Sequence, residues 1–346
     1  MRIQTLRGWR LAAAGACVIA LGVSVAAQKT QITGAGATFP APIYTKWFSE
    51  YNKLHPNVEI NYQPVGSGGG IRQLQNKTVF FGASDGPMTN DQLTAAPGKI
   101  LHFPTVLGSV APVYNVPGAP ADLKFTGALL ADIYLGKITK WNDAAIAKVN
   151  PGAKLPDVDI TTVHRSDGSG TTYIWVDYLS KISPEWKQKV GVATSVNWPN
   201  GLGGAKNDGV AALVKQTPGA IGYVELIYAL QNNISYGSVQ NAAGAFVKAS
   251  LESTTAAAAE AVAKMPADFR VSITNAPGEK AYPISSFTWM LFYENPSDKA
   301  SAKTMVEFMQ WALTDGQKFA GDLGYAPLPA PIVKLEQDAL KKIKVQ

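Results

Sequence analysis

Three short glycine-rich turns limit what this chain can become: GAGATFPAP at residues 34–42, GSGGG at 66–70 and SDGSGTT at 166–172. Each stands between a stretch that reads as a strand and one that reads as a helix. Strand patterns run over residues 31–34, 58–62, 79–83, 160–163 and 220–224, and helical ones over 43–54, 71–75, 173–179, 210–216 and 301–314. Apolar residues alternate with period two in 58–62, whereas Ile43, Trp47, Phe48, Tyr51 and Leu54 recur on one helical face. Thr89-Asn90-Asp91-Gln92 has the form of a capping box that opens a further helical turn. Alternation of this kind predicts an α/β fold with a mostly parallel sheet.

Two longer extended stretches, 103–114 and 281–292, read as crossings between two lobes. The first lobe is then built from both ends of the chain, residues 28–108 and 285–346, and the second from 109–284. With 346 residues, 46% of them hydrophobic, the chain can bury one large core or two smaller ones. The alanine-rich tract 256–263 reads as a surface helix.

The N-terminus reads as a secretory signal peptide, residues 1–27. Arg2, Arg7 and Arg10 precede an apolar run over 11–25, and Val25-Ala26-Ala27 offers small residues for cleavage. The run is about 15 residues, short of the roughly 20 a membrane span needs. Cys17 lies inside it, so lipid attachment there is the minor alternative. Without residues 1–27 no cysteine remains, which excludes disulfides and thiol chemistry. Three arginines leave with that segment and no acid does, so the formal net charge falls from +6 to +3. The only remaining basic run is Lys341-Lys342-Ile343-Lys344, too small a footprint for a nucleic-acid partner.

Each glycine-rich turn frees backbone N–H groups at a helix start and adds a Ser or Thr hydroxyl, the chemistry that holds small anions. A fourth turn, NGLGGAKNDG at 200–209 with Lys206, spreads its glycines too widely for one cradle and reads as a structural loop or the mouth of a cleft. Nucleotide fingerprints do not fit: GxxxxGK[ST] is absent, and Gly34-Ala35-Gly36 lacks the third glycine before Pro40. His55, His102 and His164 are scattered, with no HExxH and no thiolates, so neither a metal nor a cofactor is expected. Gly168-Ser169-Gly170 has the wrong spacing for a nucleophile elbow. His164 reads as a surface or supporting residue.

In order along the chain, TGAGATFPAPIY, GSGGG, FGASD, DIYLGKITKW, RSDGSGTT, NDGVAALVKQTPGAIGYVE and DLGYAPLP resemble segments of periplasmic phosphate-binding proteins. These proteins serve the high-affinity phosphate ABC transporter, and the resemblance runs from about Ile32 to the C-terminus. It implies a type II periplasmic-binding-protein fold, two α/β lobes joined by two crossing hinge strands and closing over one inorganic phosphate. It also implies a monomer outside the inner membrane that delivers phosphate to an ABC permease with its ATPase subunits. Carried over by position, the implied ligands are Thr38 and Phe39, Ser67, Asp85, Arg165, Ser169, Gly170 and Thr171. Departures are mild: His164 stands where some relatives carry a second arginine, Gly86 where many have alanine, and Phe80 where some have an acid.

Two aspartates then need a role. Asp167 either steadies the Arg165 guanidinium or caps the turn as an Asx residue. Asp85 either stabilises the turn through Pro87 or accepts a proton from the bound anion. The second role would reject sulfate, which has no proton to give. Another oxyanion is the rival reading within the same fold, and a secreted phosphatase the rival from another class.

Overall fold

A computed structural model of the protein describes residues 29–346; the expected signal peptide, Cys17 included, lies outside the described residues. The first half of the chain gives strand β1 (Thr30–Gly36), helix α1 (Ala41–Leu54), β2 (Val58–Pro64), α2 (Ser67–Gln75), β3 (Phe81–Ser84) and α3 (Asn90–Thr94). The long β4 (Ile100–Asn115) follows, then β5 (Lys124–Phe125), α4 (Gly127–Tyr134) and α5 (Ala144–Val149). Next come β6 (Thr161–Arg165), α6 (Gly170–Ile182), α7 (Pro184–Lys189), β7 (Leu202–Gly204), α8 (Lys206–Gln216), β8 (Ala220–Glu225) and α9 (Leu226–Gln231). The short strands β9 (Ser235–Tyr236), β10 (Ser238–Gln240) and β11 (Phe246–Val247) precede α10 (Leu251–Lys264), β12 (Ser285–Tyr293), α11 (Lys299–Ala312) and α12 (Ala330–Leu340).

The main sheet has the order β2-β1-β3-β12-β4-β8-β6-β7, with β9 on β4; β11, β10 and β5 make a small second sheet. Two parallel sets, β2-β1-β3 and β8-β6-β7, flank the centre. The centre itself is antiparallel: β12 runs against both β3 and β4, and β4 runs against β8. The sheet is therefore mixed where the sequence suggested a mostly parallel one. The antiparallel strands are the two crossing stretches: β4 carries the chain out of the first half and β12 carries it back, so the pair runs in opposite directions.

β4 is common to both halves. Its residues 100–109 pair with β12 and its residues 110–115 with β8. The return crossing falls at the start of β12, where Val110 N–H donates to Ile284 O at 2.8 Å. All nine residues of β12 are buried, and a single apolar core runs through both halves, with Trp47, Phe81 and Trp289 in one and Trp141, Trp175 and Trp186 in the other. The alanine-rich tract is not only surface: Ala258 and Ala261 of α10 join this core, Ala257 is buried in a small separate cluster with Ala276 and Ala281, and Thr254 of the same helix meets Ser109 of β4 at 2.7 Å.

Several helices start earlier than their apolar periodicity suggests. α2 begins at Ser67 and takes in the glycines of the second turn, and α6 begins at Gly170 within the third. The glycines are there for close approach. A side chain on Gly70 would stand 2.4 Å from Gly36 Cα and 2.5 Å from Ala35 O, so α2 lies directly on β1. Those neighbours are backbone and cannot swing aside. Gly70→Ala is expected to cost about 1–3 kcal/mol of stability, read as a lower urea midpoint at unchanged slope.

Candidate functional site

Parallel strands end at one edge, and in open α/β sheets that edge holds the ligand. Here the turns after β1, β2 and β3 face those after β6 and β7. Thr38 and Phe39 follow β1; both are buried, and their carbonyls accept hydrogen bonds of 2.6 Å from Tyr228 Oη and Tyr325 Oη respectively. Ser67 opens α2 and is fully buried; its Oγ accepts from Asp85 N at 3.2 Å and from Gly170 N at 3.0 Å. With both lone pairs engaged, that hydroxyl keeps its own proton for another acceptor.

Arg165 ends β6 with a side chain only 1% exposed. Asp167 grips it at two points, Nε to Oδ1 at 2.8 Å and Nη2 to Oδ2 at 2.5 Å. Asp167 is thus paired with Arg165, the contact that one of its two expected roles requires. Asp167 also accepts Lys206 N at 3.0 Å, which ties β6 to the start of α8. Burial raises the Asp167 carboxyl, but the bonds from Arg165 bring it below the ordinary value. Ser169 caps α6 by accepting Thr172 N at 3.0 Å, and Thr171 Oγ1 lies 3.4 Å from Arg165 Nη1.

The two halves touch through these groups. Gly68 N donates to Gly168 O at 2.9 Å, Gly170 N to Ser67 Oγ, and Asn207 Nδ2 to Thr38 Oγ1 at 2.9 Å. Gly66, at φ +88°, leaves no room for a side chain: a Cβ would lie 2.4 Å from Asp167 Oδ2 across the cleft. Thr38, Phe39, Ser67, Asp85, Arg165, Ser169, Gly170 and Thr171, expected from scattered stretches, thus gather at one closed seam.

Asp85 is the electrostatic centre of that seam. It is fully buried, with Oδ1 accepting from Thr288 Oγ1 at 2.8 Å and Oδ2 without a partner. Burial raises its pKa to about 7, against the lowering effects of the Thr288 bond and the Arg165 charge. A side chain on Gly170 would lie 2.5 Å from Oδ2, so that oxygen faces the α6 N-terminus. Taken together, the seam offers one guanidinium, several hydroxyls, two helix starts and one carboxylate acceptor. Such a set fits a tetrahedral oxyanion that carries a proton.

Sequence reading missed several contributors. Asn207, in the turn taken for a structural loop or cleft mouth, is fully buried and contacts Thr38. Thr288 of β12 supports Asp85. Glu225, at the end of β8, is a second buried carboxyl: Oε2 accepts Ile227 N at 2.9 Å, Oε1 has no partner, and burial pushes its pKa well above the carboxylate range. Asn207 and Glu225 bound the segment NDGVAALVKQTPGAIGYVE, but nothing within it shows their part in the seam, because Asn207 meets Thr38 169 positions away and Thr288 meets Asp85 203 positions away. His164 is half-buried and stacked on Trp198, with ring centroids 4.8 Å apart. Phe80 packs edge-on against Phe292 at 6.5 Å. Among the described residues no group of three or more His, Cys, Asp or Glu side chains could hold a metal ion, and no helix is long and apolar enough to cross a membrane.

A family model described as a PBP superfamily domain matches residues 23–315. The phosphate-binding protein PstS of Xylella fastidiosa (strain 9a5c) is 51% identical over 308 residues, spanning 89% of this chain and 84% of that protein. PstS of Pasteurella multocida (strain Pm70) is 47% identical over 323 residues, 92% of this chain and 93% of its own. Among solved structures, a phosphate-binding protein from Stenotrophomonas maltophilia superposes with a TM-score of 0.69 over 89% of this chain and 93% of that one. At 19% identity that likeness speaks for the two-lobe fold. The resemblance read from the motifs therefore holds along nearly the whole chain, and this protein belongs to the PBP superfamily, among the PstS phosphate-binding proteins.

Proposed function

We propose that this protein captures inorganic phosphate between its two lobes, 28–108 with 285–346 and 109–284, and delivers it to an ABC permease for import. In this reading it works as a monomer in the periplasm, has no catalytic step and meets a permease complex with ATPase subunits. Arg165 bonds the anion with charge assistance, and the hydroxyls of Thr38, Ser67, Ser169 and Thr171 surround it together with the Phe39 amide. Gly170 completes the set, its N–H shared with Ser67 Oγ. Charge-assisted bonds in a dry site contribute roughly 1.5–3 kcal/mol each.

The observation that carries this reading is Asp85, a buried carboxyl with one free oxygen among groups that otherwise donate. A carboxylate repels an anion unless that anion brings a hydrogen to share. Phosphate near neutral pH keeps at least one proton and sulfate keeps none. Titrating phosphate, arsenate and sulfate by calorimetry tests the reading: the first two bind and sulfate does not. Tight sulfate binding with no phosphate binding would overturn it.

Two further outcomes follow from the same chemistry. With Asp85 near pKa 7, the side chain is ionised above that pH and protonated below it. Preference for phosphate over sulfate should then be greatest above pH 7, on the order of 10⁴-fold, and shrink by at most about tenfold per pH unit below it. Asp85→Asn should lose that preference at every pH while weakening phosphate binding less. The lobes are also expected to part without ligand, bending at β4 and at the start of β12; small-angle scattering should show a smaller radius of gyration once phosphate is added.

A further inference from the structure

Asn207 sits outside the set of ligands proposed above, yet its side chain is fully committed. It lies in the first turn of α8 and is buried. Oδ1 accepts the Glu225 N–H at 3.3 Å. An amide nitrogen cannot accept from an N–H, so this contact fixes which way the side-chain amide faces. Nδ2 then points into the seam, 2.9 Å from Thr38 Oγ1 and 3.3 Å from Thr171 Oγ1.

The consequence is about proton direction. A primary amide nitrogen has two hydrogens and no lone pair to offer, so both hydroxyls must accept from it. Thr171 Oγ1 also receives Arg165 Nη1 at 3.4 Å, which engages its second lone pair. Neither hydroxyl can turn its own hydrogen toward Asn207; each must aim it elsewhere. We propose that Asn207 is a positioning residue that orients the Thr38 and Thr171 hydroxyls as donors before an oxyanion arrives. Because Thr38 follows β1 and Thr171 lies in the first turn of α6, one amide does this for both halves at once and ties their closure to the donor geometry. Donors set in advance need no reorganisation when charge enters the site. This inference rests on the phosphate-binding reading and adds a residue to it.

A thermodynamic cycle tests it. Phosphate affinity is measured by equilibrium dialysis, up to millimolar ligand, for the unaltered protein, Asn207→Ala, the double variant Thr38→Val/Thr171→Val and the triple combination. Asn207→Ala is expected to weaken binding about 10- to 100-fold alone, as a few net hydrogen bonds would, and less than about twofold where no hydroxyl remains to orient. An equal loss in both backgrounds, or no loss in the first, would overturn the proposal. Circular dichroism checks each fold; should the alanine variants unfold, Asn207→Leu keeps the volume without the donors and is held to the same two outcomes. If the unaltered protein fails to bind phosphate, the functional reading falls instead. Binding by that protein with no coupling to the threonines sinks this inference alone.

Discussion

The cleft depends on a guanidinium that has nowhere to go. Arg165 is held at the end of a buried strand, where an unpaired charge would cost several kcal/mol. Asp167 supplies the partner at two contact points, and that carboxylate in turn takes the Lys206 N–H and lies against Gly66 of the opposite half. Strand, following helix and facing lobe are therefore positioned by one ion pair. It leaves the cation balanced but not spent, with Nη1 directed toward Thr171 and the seam.

Much of this was legible in the amino-acid order because glycine-rich turns before helices have local signatures. The three turns, the capping box at Thr89 and both crossing stretches appear where expected. Helices start earlier than the apolar rhythm shows, since the glycines Gly68–Gly70 and Gly170 lack that rhythm; Gly70 is required by the backbone of β1 and Gly170 by the Asp85 and Ser67 side chains packed against it. The antiparallel centre of the sheet was not legible either. Strand direction follows from how the chain crosses between halves, and periodicity within a strand is silent on that. The roles of Asn207, Thr288 and Glu225 were not legible for a related reason, although Asn207 and Glu225 bound a segment that carries the resemblance: those roles arise only when turns distant in sequence meet.

The seam is notable for the polar matter it keeps dry. Tyr228 and Tyr325 spend their hydroxyls on the carbonyls of Thr38 and Phe39, so the first turn is held from behind while its side chains face the cleft. Buried polar networks raise specificity when every member is satisfied and lower stability when one is not. The unpartnered oxygens of Asp85 and Glu225 are the exceptions here. Asp85 gives its exception a purpose in the proposed chemistry; the structure offers no comparable account for Glu225.

The position of β12 has a consequence for how the molecule comes into being. It lies between β3 and β4, so the first half of the sheet lacks its middle strand until residue 285 is available. A chain emerging N-terminus first from a ribosome must hold its opening third unfinished until most of its length has appeared. That delay makes completion of the first half a late, collective event.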